Sequence, residues 1–219
     1  LLVGASASSA APRRTAAYHE GGGELTTPPE AIVATRAGRV RGFRRHGIHS
    51  FRGIPYGADP SGAGRFLPPR PVEPWSGVRS SLAYGPTCPQ PARNWSNDEE
   101  AFIMNWDDGH PGENCLTLNV WTPQPGAASR LPVIVWLHGG GFTTGSSHEL
   151  PSYEGSRLAA RGAVVVSVNH RLGVFGYLDL SAYGEALADS GNAGMLDLQL
   201  ALRWVQENIG AFGGDPGRV

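Results

Sequence analysis

The chain has 219 residues, about one domain with a sizeable core, and it is rich in loop-forming residues (31 Gly and 18 Pro). Only 17% of its residues are charged and the formal net charge is −1, which argues against a nucleic-acid or anionic-membrane partner. All 18 basic residues are arginine, as is typical of a GC-rich genome. Clusters of arginine in the sequence are therefore weak evidence of a functional site.

Residues 1–30 combine small side chains with a glycine triplet and show no hydrophobic periodicity. We expect them to form a flexible leader outside the fold. The first ten residues, LLVGASASSA, resemble the end of a secretory signal with its small-residue cleavage sites, which predicts a secreted or extracytoplasmic protein. An Ala/Ser-rich leader with no targeting role is the alternative. No apolar run approaches the roughly 20 residues of a membrane span.

Short β-prone runs begin directly after the leader, broken by Gly38 and Gly47. They are residues 32–35, 39–43 and 48–51. This spacing predicts an antiparallel meander, and a long irregular segment over residues 55–112 follows it.

The chain contains two cysteines, Cys88 and Cys115, with 26 residues between them. Neither a C-x-x-C nor an H-E-x-x-H motif occurs, which argues against a zinc site. In an exported protein an isolated pair of this kind indicates one disulfide. Two unpaired buried thiols are the alternative.

The pattern changes to α/β from residue 116 onward. Residues 116–121 alternate as a strand, whereas 133–137 and 163–168 are continuous apolar runs, typical of parallel strands buried on both faces. A helix expected at 152–161 would join these two runs as a βαβ unit. A second helix is expected at 192–210, with one apolar face. That face comprises Met195, Leu198, Leu202, Val205 and Ile209. The fold class is therefore α/β with a mainly parallel sheet.

A glycine run, HGGGF at residues 138–142, directly follows the apolar run 133–137. Glycines let the backbone leave the sheet at unusual φ values and bring N–H groups to a ligand without an intervening Cβ. Since α/β-hydrolases use an HGGG-type motif after an early strand as an oxyanion hole, we predict that Gly140 and Gly141 supply its donors. A simple turn is the alternative, and the G-x-G-x-x-G spacing of a dinucleotide site is absent here.

Six further segments carry recognisable motifs in a fixed order. They are 51–57 (FRGIPYG), 65–69 with 74–79 (RFLPP and PWSGVR), 113–121 (ENCLTLNVW), 169–176 (NHRLGVFG), 191–197 (GNAGMLD) and 212–216 (FGGDP). Together they resemble the type-B carboxylesterases, the cholinesterase-like branch of the α/β-hydrolases, although Asn114 stands where that family usually has Asp. The resemblance implies an α/β-hydrolase domain over residues 31–219 with N-terminal antiparallel strands, a small-molecule carboxylic ester as substrate, and no cofactor or metal.

In that family FGGDP leads into a strand and a G-x-S-x-G nucleophile elbow, a motif that these 219 residues lack. The resemblance therefore implies the N-terminal part of a secreted serine carboxylesterase, truncated before the elbow. Its triad would lie beyond Val219, in the C-terminal remainder, and the chain alone would be inactive. His138, beside the glycines, is expected to hold the loop and not to act as the base. The rival hypothesis is a cholinesterase-like binding or adhesion domain without a triad, but the intact HGGGF loop favours the enzyme.

The resemblance also implies specific pairings between side chains. These are a Cys88–Cys115 disulfide and two ion pairs, Arg65 with Glu113 and Arg171 with Asp197. In the doubly wound order the strand following Val219 would lie beside the strand at 163–168. We therefore expect that strand to have an open edge and the isolated chain to be poorly soluble.

Overall fold

The computed structural model describes residues 24–91, 106–107 and 109–219. Most of the predicted flexible leader lies outside the described residues. Within them the chain forms a five-stranded main sheet and a small three-stranded sheet.

The described residues contain eight strands and three α-helices, joined by loops and short 3₁₀ turns. The strands are β1 (Ile32–Ala34), β2 (Arg39–Arg41), β3 (Phe43–Arg45), β4 (Ile48–Pro55), β5 (Val78–Ser80), β6 (Thr117–Thr122), β7 (Val133–Leu137) and β8 (Val164–Val168). The helices are α1 (Ser156–Ala159), α2 (Gly173–Tyr177) and α3 (Ala193–Asn208).

The N-terminal strands pair antiparallel as predicted, but they divide between two sheets. β1 pairs with β2 in the small sheet, which β5 extends in parallel, whereas β3 pairs with β4 in the main sheet. Gly42 lies at the division, where an added Cβ would clash with the Ser50 carbonyl oxygen. The chain passes β4 so closely here that it leaves one sheet and enters the other, so the expected single meander does not form.

The main sheet has the order β3-β4-β6-β8-β7 and is mixed. Only its β7–β8 ladder is parallel, and its other three ladders are antiparallel. In the described residues the expected parallel arrangement is therefore limited, within this sheet, to the βαβ unit of β7, α1 and β8.

The crossover through α1 places β8 between β6 and β7. All five residues of β8 are buried, whereas Ile134, Trp136 and Leu137 of β7 are 41–43% exposed. Two expectations are therefore wrong: β8 has no open edge, and β7 is not buried on both faces. β8 is paired on both sides, and among the described residues β7 forms one edge of this sheet and β3 the other.

The strand predicted at residues 116–121 forms as β6, and all six of its residues are buried. β6 lies between β4 and β8, and helices cover both faces of the sheet. On one face Trp121 packs in a cluster with Ala159 and Ala160, and on the other Val120 shares the main core with Val205 of α3.

The two expected helices form with changes. The region 152–161 contains the end of a 3₁₀ turn (Pro151–Tyr153) and the four-residue α1. Between them, at Gly155, the chain lies so close to the Trp121 ring that an added Cβ would be 2.6 Å from it. α3 ends near the expected residue, but Met195 and Leu202 are exposed. Its buried face instead includes Asp197, Leu198, Ala201, Trp204 and Val205.

Candidate active site

The HGGGF loop leaves the carboxyl end of β7 in an unusual backbone conformation. Gly140, Gly141 and Phe142 have φ values of +115°, +60° and +63° in succession. An added Cβ at Gly140 would clash with the Thr144 carbonyl oxygen, whereas one at Gly139 would meet nothing within 4 Å. The loop therefore requires glycine at 140 for both conformation and space.

Four consecutive N–H groups of this loop, those of residues 139–142, have no hydrogen-bond partner among the described residues. The Gly140 carbonyl accepts hydrogen bonds from the N–H groups of Thr143 and Thr144, each at 3.1 Å, and this closes the turn. In the part of the chain that the structure describes, the N–H groups of Gly140 and Gly141 donate to no protein group. Paired backbone donors at the carboxyl end of a strand can bind an oxygen that carries negative charge.

Neighbouring segments hold the C-terminal end of the loop and the residues that follow it. The Gly173 N–H donates to the Phe142 carbonyl at 2.7 Å, and the Phe142 ring lies 5.2 Å from that of Tyr177. Three residues after Phe142, the Gly145 N–H donates to Gln90 Oε1 at 2.7 Å, and Gln90 Nε2 donates to the Gly145 carbonyl at 3.0 Å. These contacts preorganise the loop before any ligand binds.

His138 lies under the glycines and contacts the backbone. Its Nδ1 donates to the Gly139 carbonyl at 2.8 Å, and its ring stacks on His170 with centroids 5.0 Å apart. Burial, together with the nearby His138, lowers the pKa of His170 to about 4, so His170 is neutral near pH 7. The geometry gives His138 a supporting contact in the loop, which is the role expected for it.

A buried polar network that the sequence did not reveal lies behind the loop. Asn169 Oδ1 accepts from the Ser147 N–H at 2.7 Å, and Asn169 Nδ2 donates to the Pro86 carbonyl at 3.0 Å. Asn119 Nδ2 donates to the hydroxyls of Ser147 and Ser167, both at 3.0 Å. The sequence feature that could have predicted this network is an asparagine within or beside an otherwise buried strand, because a buried polar side chain must find hydrogen-bond partners.

Arg171 and Asp197 form a buried ion pair that joins the segment before α2 to α3. Their side chains are 3% and 0% exposed. Asp197 accepts hydrogen bonds from the Arg171 N–H (3.0 Å), Nε (2.9 Å) and Nη2 (2.7 Å), while Nη1 donates to the Leu67 carbonyl at 2.8 Å. Burial raises the pKa of Asp197 and the hydrogen bonds from Arg171 oppose that rise.

Arg65 and Glu113 form the other ion pair named from the sequence. Arg65 Nε donates to Glu113 Oε2 at 2.6 Å, and the side chains are 42% and 25% exposed. Hydrogen bonding to Glu113 raises the pKa of the Arg65 guanidinium. The structure thus brings both expected pairs together, one in the core and one near solvent.

Cys88 and Cys115 are both buried thiols in the structure. Interaction between the two thiols lowers the pKa of Cys88 and raises that of Cys115, and burial adds to the rise at Cys115. The Leu172 N–H donates to Cys88 Sγ at 3.0 Å. The thiols are adjacent but not bonded, so the disulfide stays a prediction.

The described residues contain neither a membrane-spanning helix nor a cluster of metal-binding side chains. None of the helices there combines the length and apolar character that crossing a bilayer requires. Nor do three or more His, Cys, Asp or Glu side chains cluster there in a way that could hold a metal ion.

Comparison with known proteins matches residues 29–219 to the model of the carboxylesterase family. The chain is 45% identical over 190 residues to para-nitrobenzyl esterase of Bacillus subtilis and 39% identical over 196 residues to fumonisin B1 esterase of Sphingopyxis macrogoltabida. These alignments cover 86% and 89% of the chain, but only 37% and 34% of the relatives. The chain therefore spans about a third of their length.

Solved esterase structures also match this chain over about a third of their length. An esterase from Clostridium hathewayi superposes with a TM-score of 0.81 at 41% identity, covering 89% of this chain and 38% of that one. Carboxylesterase Est55 of Geobacillus stearothermophilus gives 0.75 at 43% identity, covering 85% and 36%. The similarity confirms the predicted resemblance and the predicted α/β-hydrolase fold.

Proposed function

Since the chain belongs to the carboxylesterase family, we propose that it is the N-terminal part of a serine esterase that hydrolyses a small-molecule carboxylic ester. The observation that carries this proposal is the pair of unpartnered N–H groups at Gly140 and Gly141. The glycine loop holds them ready at the end of β7, where α/β folds bind ligands.

Ester hydrolysis explains why such donors are needed. Attack by a serine hydroxyl turns the ester carbonyl oxygen into an oxyanion, which the N–H groups of Gly140 and Gly141 would stabilise. Each donor of this kind contributes about 3 kcal/mol to the transition state. The serine, its histidine base, the orienting acid and a third N–H would come from the C-terminal remainder. The reaction needs no metal or organic cofactor.

A binding or adhesion domain of the same fold is the rival function. It would have no use for a preorganised pair of oxyanion donors, and the named relatives are esterases. The sequence immediately after Val219 discriminates the two, because only the enzyme needs a serine at a G-x-S-x-G elbow.

The test compares two glycine substitutions in the full-length protein. Gly140→Ala would force the loop to move, because its Cβ clashes with Thr144, and we expect kcat/KM for p-nitrophenyl acetate to fall about 100-fold or more. Gly139→Ala places its Cβ in open space and serves as the matched control, with an expected change within about threefold. Near-UV circular dichroism checks that both variants fold.

Two results would overturn the proposal. One is a full-length protein without a serine at the elbow and without hydrolysis that a serine-directed phosphonate abolishes. The other is equal activity in the Gly140→Ala and Gly139→Ala variants, since the loop would then supply no oxyanion donor.

We further propose that the protein is exported and that the adjacent thiols of Cys88 and Cys115 are oxidised there. The signal-like sequence at residues 1–10 and the proximity of the two sulfurs support this proposal. Mass spectrometry of protein recovered outside the cytoplasm tests both points. A retained leader in exported protein would contradict cleavage, and two alkylatable thiols would contradict the disulfide.

A further inference from the structure

A cavity of about 600 Å³ lies between the β3–β4 hairpin and the segment 151–158. None of its lining residues belongs to the HGGGF loop or to the ion pairs described above. Its charged lining residues are Arg45, Arg52, Arg157 and Glu154. Three arginines and one glutamate therefore line this cavity, in a chain whose net charge is −1.

Arg52 is held in a fixed orientation at the wall of this cavity. Its guanidinium carbon lies 5.0 Å from the centre of the Phe43 ring and 4.4 Å from that of Tyr84. Tyr84 is itself stacked on His148, with centroids 4.4 Å apart and planes within 4°. Two aromatic faces therefore fix the guanidinium without using its N–H donors.

Those donors lack hydrogen-bond partners among the described residues. Arg52 Nε is buried and donates to no protein group there, and Nη2 is 4.0 Å from the nearer oxygen of Glu154. The Glu154 carboxylate is engaged elsewhere, since it accepts from the Ser156 N–H at 3.0 Å and the Ser156 hydroxyl at 2.6 Å. The buried Nε is out of reach of a ligand, whereas Nη1 and Nη2 form no hydrogen bond with the described residues and can donate to an oxyanion in the cavity.

We propose that this cavity binds a small organic anion whose carboxylate or phosphate oxygens accept hydrogen bonds from Arg52. Pro151 and Leu158 supply apolar surface for the body of the ligand, and Arg45 adds positive charge. The cavity volume suits a ligand of one or two rings. This site is separate from the proposed oxyanion hole and does not depend on the proposed esterase activity.

The test measures binding of benzoate and phenyl phosphate to the full-length protein by calorimetry. We expect millimolar binding that Arg52→Gln weakens by about tenfold or more, because a charge-assisted hydrogen bond is lost. Arg79→Gln is the matched control: Arg79 also stacks on an aromatic ring, Trp75 at 4.3 Å, but does not line the cavity, so its variant should bind within about twofold of wild type. The tighter of the two probes identifies the oxyanion as carboxylate or phosphate.

Two further variants keep the result interpretable. Arg45→Glu reverses a charge on an exposed side chain and should weaken binding by about threefold or more without unfolding the protein, which covers the case in which Arg52→Gln does not fold. Gly140→Ala should bind as wild type does, which separates this cavity from the proposed active site. The proposal is overturned if wild type binds neither probe, or if Arg79→Gln or Gly140→Ala weakens binding as much as the cavity variants.

Discussion

Replacing Asp197 with asparagine should destabilise the protein more than replacing any charge on its surface. Asparagine keeps the shape of the side chain but removes its charge, so Arg171 is left 3% exposed with an unbalanced positive charge. It also places an amide donor where the structure has an acceptor for three hydrogen bonds of 2.7–3.0 Å.

The expected loss is about 3–5 kcal/mol, the usual cost of removing one partner from a buried ion pair. That is a large part of a net stability of about 5–15 kcal/mol. Glu113→Gln is the matched control, because it breaks a pair of the same chemistry whose side chains are 42% and 25% exposed. Its expected loss is about 0–1 kcal/mol, since water screens and solvates the remaining arginine.

Urea unfolding of the full-length protein, followed by near-UV circular dichroism, measures both losses. A loss below about 1 kcal/mol for Asp197→Asn, or an equal loss for Glu113→Gln, would refute the reasoning from burial. A double variant, Arg171→Met with Asp197→Leu, adds a second check. Because it removes both buried charges, it should recover much of the stability that Asp197→Asn loses.

Lowering the pH, oxidising the two cysteines and expressing the chain alone should each change the stability or the association of the protein. The pKa of His170 is about 4 in the folded protein against 6.5 ordinarily, so the unfolded state takes up the proton first as the pH falls. The free energy of unfolding should therefore decrease by about 3 kcal/mol between pH 6.5 and 4, and His170→Gln should remove most of this decrease. Oxidation of Cys88 and Cys115 should raise the free energy of unfolding by roughly 3.5 kcal/mol over the reduced protein. Residues 1–219 expressed alone should be inactive and should associate through the exposed edge of β7, and Ile134→Lys should reduce the sedimenting oligomer.

Each of these predictions has a clear contrary result. A pH profile of stability that His170→Gln leaves unchanged would place the acid sensitivity elsewhere. Equal stability of the oxidised and reduced proteins would contradict the stabilising disulfide. A monomeric isolated chain that unfolds cooperatively and hydrolyses esters would show that the remainder of the protein is not needed.

The local sequence was sufficient to predict the strands, the glycine loop and the family. A run such as Val133–Leu137 is predicted as a strand because its side chains are apolar and β-prone, and the structure forms a strand there. HGGGF needs glycine at position 140 because of backbone geometry within a few residues, as the positive φ and the clash with Thr144 show. Both features depend on contacts close in sequence, so the sequence was enough to predict them.

The ion pairs came from the sequence only through the resemblance. Nothing in the composition or spacing joins Arg171 to Asp197, which are 26 residues apart, or Arg65 to Glu113, which are 48 apart. The structure also shows how they differ: the first pair is buried and the second is near solvent. That difference determines their expected energies, and it depends on tertiary packing.

Only the tertiary structure decided which strand is at the edge of the sheet and which helix face is buried. An apolar run predicts a buried strand, but the α1 crossover puts β8 inside and leaves β7 outside. Arg52 likewise gains its role from Phe43 and Tyr84, which reach it from different parts of the chain. Strand order and side-chain surroundings depend on contacts between distant segments, whereas sequence patterns report the chain's local preferences.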